Sequence, residues 1–125
     1  WRDISEKVTV YGLDVDLDAL FTEPRIETIF HDQTSKEDWL LLRKVIKPQS
    51  VDVFIDDGLH TPSANLCFLN NAFEFVKPGG WLIIEDIPER ALPIWQIVLS
   101  QPRADLKFEM FKGAYSFVLV AEKIS

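Results

Sequence analysis

Residues 52–60 read DVFIDDGLH, an apolar, strand-forming run that ends in Asp56, Asp57, a glycine and His60. A second apolar run, GGWLIIEDI from Gly79, ends in Glu85 and Asp86. Adjacent parallel strands lie about 4.8 Å apart, so carboxylates at their ends can share one hard cation through oxygen. With no thiolate in either stretch and a single imidazole, magnesium, manganese or calcium suits the set better than zinc. Clustered acids also repel unless positive charge lies among them, and a divalent ion relieves that. His60 follows Asp57 by three residues and could reach a substrate hydroxyl from the start of the next helix. Its unperturbed pKa, roughly 6.5, suits proton abstraction near neutrality. Each feature also has a plainer reading. Asp-Gly is a common turn pair, and a lone histidine at a helix start is commonly a cap or a surface residue. Neighbours on an ideal strand point to opposite faces, so Glu85 and Asp86 reach one ion only if the strand breaks there.

Two further strand-like runs also end in acids. KVTVYGLDVD, residues 7–16, turns acidic at Asp14, and PRIETIFHDQ, residues 24–33, closes in His31, Asp32 and Gln33. Helical patterns lie between the strands. SKEDWLLLRKVI offers a capping box from Ser35 to Asp38 and an apolar stripe through Trp39, Leu42 and Ile46. TPSANLCFLNNAFEFV opens with Thr61 as N-cap and Pro62 at the first helical position, with Leu66, Leu69, Phe73 and Val76 on one stripe, and KPGG as its stop. ERALPIWQIVLSQ is a shorter helix, and LKFEMFKGAYSFVLVAEK reads as two antiparallel strands around Lys112, Gly113 and Ala114. Such alternation predicts an α/β fold: a mostly parallel, Rossmann-like sheet covered on both faces, closed by an antiparallel pair, with ligands at the carboxyl ends of its strands. In such folds an acid placed like Asp14 accepts the ribose hydroxyls of a nucleotide, although a solvated acid at a strand end fits equally well. Asp32 and Gln33 could read the amino edge of an adenine, or could cap the helix that starts at Thr34 and Ser35.

The 125 residues, 47% of them hydrophobic, suit one compact domain, residues 1–125. A formal net charge of -7 opposes a nucleic-acid partner. No stretch is long and apolar enough to span a membrane, and the start WRDISEKV lacks the features of a signal peptide. The single Cys67 cannot form an internal bridge, which makes a cytoplasmic setting the expectation. Cys67, Trp39, Trp81 and Trp95 read as packing residues, and His31 as a group that satisfies local polar atoms.

Taken together, VYGLDVD, RIETIFHDQ, DVFIDDGLHT and KPGGWLIIEDI resemble the class I S-adenosylmethionine (SAM)-dependent methyltransferases. The match is to the metal-dependent sugar O-methyltransferases of macrocin and mycinamicin type and their cephalosporin-hydroxylase-like relatives. The resemblance implies Asp57, Glu85 and Asp86 as magnesium ligands and His60 as the base. It implies further that Asp14 holds the ribose of S-adenosylmethionine and that Asp32 and Gln33 lie along its adenine. The implied reaction is methyl transfer to a hydroxyl of a small, sugar-like substrate.

One part of the family pattern has no counterpart. The cofactor loop of that family is a glycine-rich turn after its first strand, whereas the glycines here are Gly12, Gly58, Gly79, Gly80 and Gly113. The expectation is therefore a sheet lacking that first strand and its helix, with two apolar strand edges left unpaired. Another copy of the chain could cover them, which predicts a homo-oligomer. A second reading follows from the same absence: a non-catalytic Rossmann-like remnant that serves in assembly or binding. A nicotinamide-dependent dehydrogenase ranks last, because it needs the same glycine fingerprint and gives Asp57, Glu85 and Asp86 no role.

Overall fold

The computed structural model describes residues 1–125 as two compact units, Trp1–Leu42 and Arg43–Ser125. The first holds a three-stranded sheet of order β1-β3-β2, formed by β1 (Val10–Asp14), β2 (Thr22–Glu23) and β3 (Ile26–Phe30), followed by helix α1 (Lys36–Leu42). β1 and β3 run parallel with Asp14 opposite Phe30, and the short β2 is antiparallel to β3. The second unit holds β4 (Val51–Asp56), α2 (Pro62–Ala72), β5 (Val76–Ile87), α3 (Leu92–Ser100), β6 (Leu106–Lys112) and β7 (Phe117–Lys123), with sheet order β4-β5-β7-β6. β4 and β5 are parallel, while β5, β7 and β6 are joined antiparallel. The mixed α/β class, the parallel pairs and the antiparallel C-terminal pair are thus as the sequence predicts. The strands form two hydrogen-bonded sheets, however, with β1 at an edge of the first and β4 at an edge of the second. Each of these two strands is paired along one side only.

Helix starts follow their capping chemistry. The Thr61 hydroxyl accepts the N–H of Ala64 with Pro62 in the first turn, which fixes where α2 begins. The buried face of α2 is Ala64, Asn65, Phe68, Leu69 and Ala72, shifted from the Leu66–Phe73 stripe expected. At α1 half of the capping box forms: Ser35 Oγ accepts the Asp38 N–H, but the Asp38 carboxylate turns to the N–H of Asp32 instead. α1 ends at Leu42, short of the buried Ile46.

KPGG does not separate helix from strand but lies inside β5. The β4–β5 register jumps from Val51↔Val76 to Val53↔Trp81, so Lys77 to Gly80 bulge out of the ladder. Gly79 has φ +80, and a Cβ at Gly80 would lie 2.8 Å from the Asp52 carbonyl oxygen, so glycine is required at both. α2 covers one face of this sheet, with Phe54 of β4 edge-on to Phe68 at 5.2 Å. On the other face Val53 and Trp81, opposite each other in the register, stay 44% and 40% exposed, so the expected cover on both faces does not form in this unit. Trp95 and Trp39 are core residues as expected.

A buried cation closes the second unit. Lys123, at the end of β7, donates to the carbonyls of Phe73 (3.0 Å) and Val76 (2.9 Å) and sits 4.2 Å from the Phe73 ring centroid. It thereby supplies donors to two carbonyls that follow the end of α2. Lys123→Met is expected to lower the unfolding free energy by about 2 kcal/mol, the scale of losing charged hydrogen bonds and stranding their acceptors. A shifted urea midpoint at unchanged slope would show it.

In the first unit His31 is buried, its Nε2 has no hydrogen-bond partner, and its ring meets Trp39 edge-on at 4.4 Å. Burial holds its pKa below the ordinary 6.5, against the opposing pull of the Asp38 and Asp32 charges. The unfolded chain therefore binds this proton more readily, so the stabilisation is complete above about pH 6.5 and is lost as pH falls through the lower folded value. An NMR titration of the His31 ring should give a midpoint below 6.5, and His31→Gln should flatten the fall in thermal stability between about pH 7 and 5.

Candidate metal and catalytic site

In the parallel register of β4 and β5, Asp56 lies opposite Ile84, so both chains leave the sheet at the same end and deliver Asp57, Glu85 and Asp86 there. The two aspartates of DVFIDDGLH then do different things. Asp56 is buried and accepts hydrogen bonds from Asn65 Nδ2 (2.8 Å) and the Gly58 N–H (3.1 Å), tying the strand end to α2 and to the turn. Asp57 is left exposed, as is Asp86. The bland turn reading of Asp-Gly is thus satisfied by Asp56, and Asp57 is released from it.

Asp86 owes its direction to a break in β5. Between Ile84↔Leu119 and Ile87↔Phe117 the register takes three steps on β5 against two on β7, and Asp86 itself has φ +51. A one-residue bulge of this kind re-aims a side chain. His60 Nε2 stands 3.9 Å from an oxygen of Asp57 and 3.9 Å from Asp86 Oδ2. Donor atoms of Asp57, His60 and Asp86 all lie within 4.8 Å of one another. His60 Nδ1 is buried without a hydrogen-bond partner, which leaves Nε2 as the nitrogen that faces the carboxylates. Glu85 is half-buried on β5 and stands outside this group of three.

Hard cations bind oxygen at about 2.0–2.6 Å, so ligands on opposite sides of one ion are roughly 4–5 Å apart. The spacing of Asp57, His60 and Asp86 admits such an ion, and two carboxylates give it the charge it needs.

The nucleotide candidates lie in the first unit, at the carboxyl ends of β1 and β3. Asp14 is exposed, its Oδ1 accepts the Asp16 N–H at 2.8 Å, and its carbonyl accepts the His31 N–H at 3.0 Å. Asp32 Oδ1 accepts both the hydroxyl (2.7 Å) and the N–H (2.8 Å) of Thr34, which hold its carboxyl below the usual range. This is a local turn with Thr34 rather than the helix cap weighed for it in the sequence, since Ser35 caps α1. The Gln33 carbonyl accepts the Trp39 indole N–H at 2.8 Å, which seats the helix against the strand end. Asn65 and Ser116 were not singled out in the sequence. Neither carried a local signal: Asn65 lies off the apolar stripe read for α2, and the partner of Ser116 is Asp86, thirty residues away.

No protein-family model matches the chain. Among curated proteins it is 33% identical over 87 residues to mycinamicin VI 2''-O-methyltransferase of Micromonospora griseorubida, a match covering 70% of this chain and 21% of that one. It is 30% identical over 87 residues to demethylmacrocin O-methyltransferase of Streptomyces fradiae (70% and 22%). It is 29% identical over 96 residues to the 8-demethyl-8-alpha-L-rhamnosyl tetracenomycin-C 2'-O-methyltransferase of Streptomyces olivaceus (77% and 25%). The matched stretch thus spans a quarter or less of each relative. Among solved structures, the MycE methyltransferase of mycinamycin biosynthesis in complex with Mg, SAH and mycinamycin VI superposes with a TM-score of 0.74 at 21% identity, covering 99% of this chain and 38% of that one. An rRNA methylase from Streptococcus thermophilus gives 0.67 at 16%, over 94% and 74%. The chain therefore has the SAM-dependent methyltransferase fold, and its relatives in sequence are sugar O-methyltransferases of the macrocin and mycinamicin type.

Proposed function

We propose that the chain is the metal- and cofactor-binding part of a SAM-dependent O-methyltransferase that acts on a hydroxyl of a small, sugar-like molecule, with residues 1–125 working as one functional domain. The observation that carries this reading is the meeting of Asp57, His60 and Asp86 within 4.8 Å at the carboxyl ends of two parallel strands. The names of the relatives supply the reaction type: sugar O-methylation in sequence, and a fold seen elsewhere with Mg and SAH.

The roles divide between the units. In the second, Asp57 and Asp86 would hold magnesium, with Glu85, expected as a third ligand, standing outside their group, and His60 Nε2 would take the proton from the acceptor hydroxyl, since its Nδ1 is buried. In the first, Asp14 would receive the ribose hydroxyls of S-adenosylmethionine, and Asp32 with Gln33 would hold its adenine. When bound, S-adenosylmethionine would supply the methyl group and the cation would acidify the acceptor hydroxyl. The chain's own part is to fix the acceptor oxygen and to remove its proton.

The net charge of -7 favours a small-molecule acceptor over RNA, although rRNA methylases share the fold. A cytoplasmic setting fits the lone, unpaired Cys67. Self-association is supported by β1 and β4, each hydrogen-bonded along one side only.

In the purified protein, S-adenosylhomocysteine should give saturable heat on titration, and methyl transfer to a glycoside should require divalent cation. His60→Ala should lower kcat by about 10²- to 10⁴-fold with little change in cofactor affinity. Unaltered turnover would remove His60 from the base role. No saturable heat at millimolar ligand, together with no methyl transfer, would favour the assembly or binding remnant instead.

A further inference from the structure

Asp86 is held from behind. Ser116 Oγ donates to its Oδ1 at 3.0 Å, while Oδ2 is the oxygen that faces His60 Nε2 at 3.9 Å. One carboxylate is thus divided between an anchor and an open side. The anchor has its own footing, because the Ser116 carbonyl accepts the Gly113 N–H at 2.8 Å across the turn that joins β6 to β7. Asp86 needs such an anchor more than Asp57 does. It sits in a bulge at positive φ, a backbone state that costs a non-glycine residue of order 1 kcal/mol and persists only where surrounding contacts fix it.

We propose that Ser116 is the positioning residue for Asp86, fixing the rotation of its carboxylate so that Oδ2 is presented to a divalent cation shared with Asp57. This rests on the metal reading above and assigns a function to the β6–β7 turn within it. A bond between two solvent-accessible side chains contributes little to folding, so its effect belongs in the metal affinity and not in the stability of the metal-free protein. Loss of an outer hydrogen bond to a metal ligand typically weakens binding about 10- to 100-fold.

The test is Mn²⁺ binding to the purified protein, followed by the electron paramagnetic resonance signal of the free ion, for wild type, Ser116→Ala and Ser116→Thr. Thermal midpoints are measured alongside without metal. The expected result is about a tenfold or greater rise in Kd for Ser116→Ala, recovery to within about threefold of wild type for Ser116→Thr, and metal-free midpoints that coincide. A Ser116→Ala protein that binds Mn²⁺ as wild type does would overturn the positioning role and leave the metal site standing. A matching drop in metal-free stability, or no rescue by threonine, would also overturn it. If wild type itself shows no saturable Mn²⁺ binding, the metal reading fails and the role of Ser116 falls with it.

Discussion

The parallel register of β4 and β5 is the constraint from which the chemistry of the second unit follows. Because Asp56 stands opposite Ile84, both strands exit the sheet at one end, and the residues after them converge whatever their identity. Antiparallel pairing would have sent Asp57 and Asp86 to opposite ends. The parallel pair requires a crossover, and α2 supplies it, with its first turn capped by Thr61 immediately after His60. The same cap that starts the helix therefore fixes the place of the imidazole.

Around that rim the aspartates separate by burial into two kinds of work. Asp56 is buried and saturated, by Asn65 and Gly58, whereas the buried Nδ1 of His60 has no partner. Side chains of Asp57 and Asp86 are more than half exposed and face one another across His60 with no cation between them in the protein itself. The exposed acids Asp57 and Asp86 thus place negative charge at the strand-end rim, where parallel strands commonly bind ligands.

Much of this was legible in the sequence, for local reasons. Thr61 and Pro62 declare a helix start by their own chemistry, and the alternation of apolar runs with capped helices declares an α/β fold. The rest depends on contacts that local pattern does not encode. Glycines 79 and 80 read as a stop, yet they belong to a strand that bulges around the Asp52 carbonyl. Trp81 reads as packing, yet its face of the sheet has no cover in its own unit. The sequence raised the question of how adjacent Glu85 and Asp86 could serve one ion. The bulge at Asp86 answers half of it, since the break in the strand is present and turns Asp86 toward His60 while Glu85 stays half-buried on β5.

Fold similarity alone would not choose between substrates here, because sugar and rRNA methyltransferases both superpose well on this chain. A protein that neutralises phosphates must offer clustered lysine or arginine, and such contacts dominate binding to nucleic acid. Here acids outnumber bases by 20 to 13, and three of the cationic side chains are paired locally: Arg43 with Glu74, Lys77 with Asp52, Arg103 with Asp105. An acidic rim attracts a divalent ion, and two carboxylates supply the charge and the oxygen donors that such an ion takes.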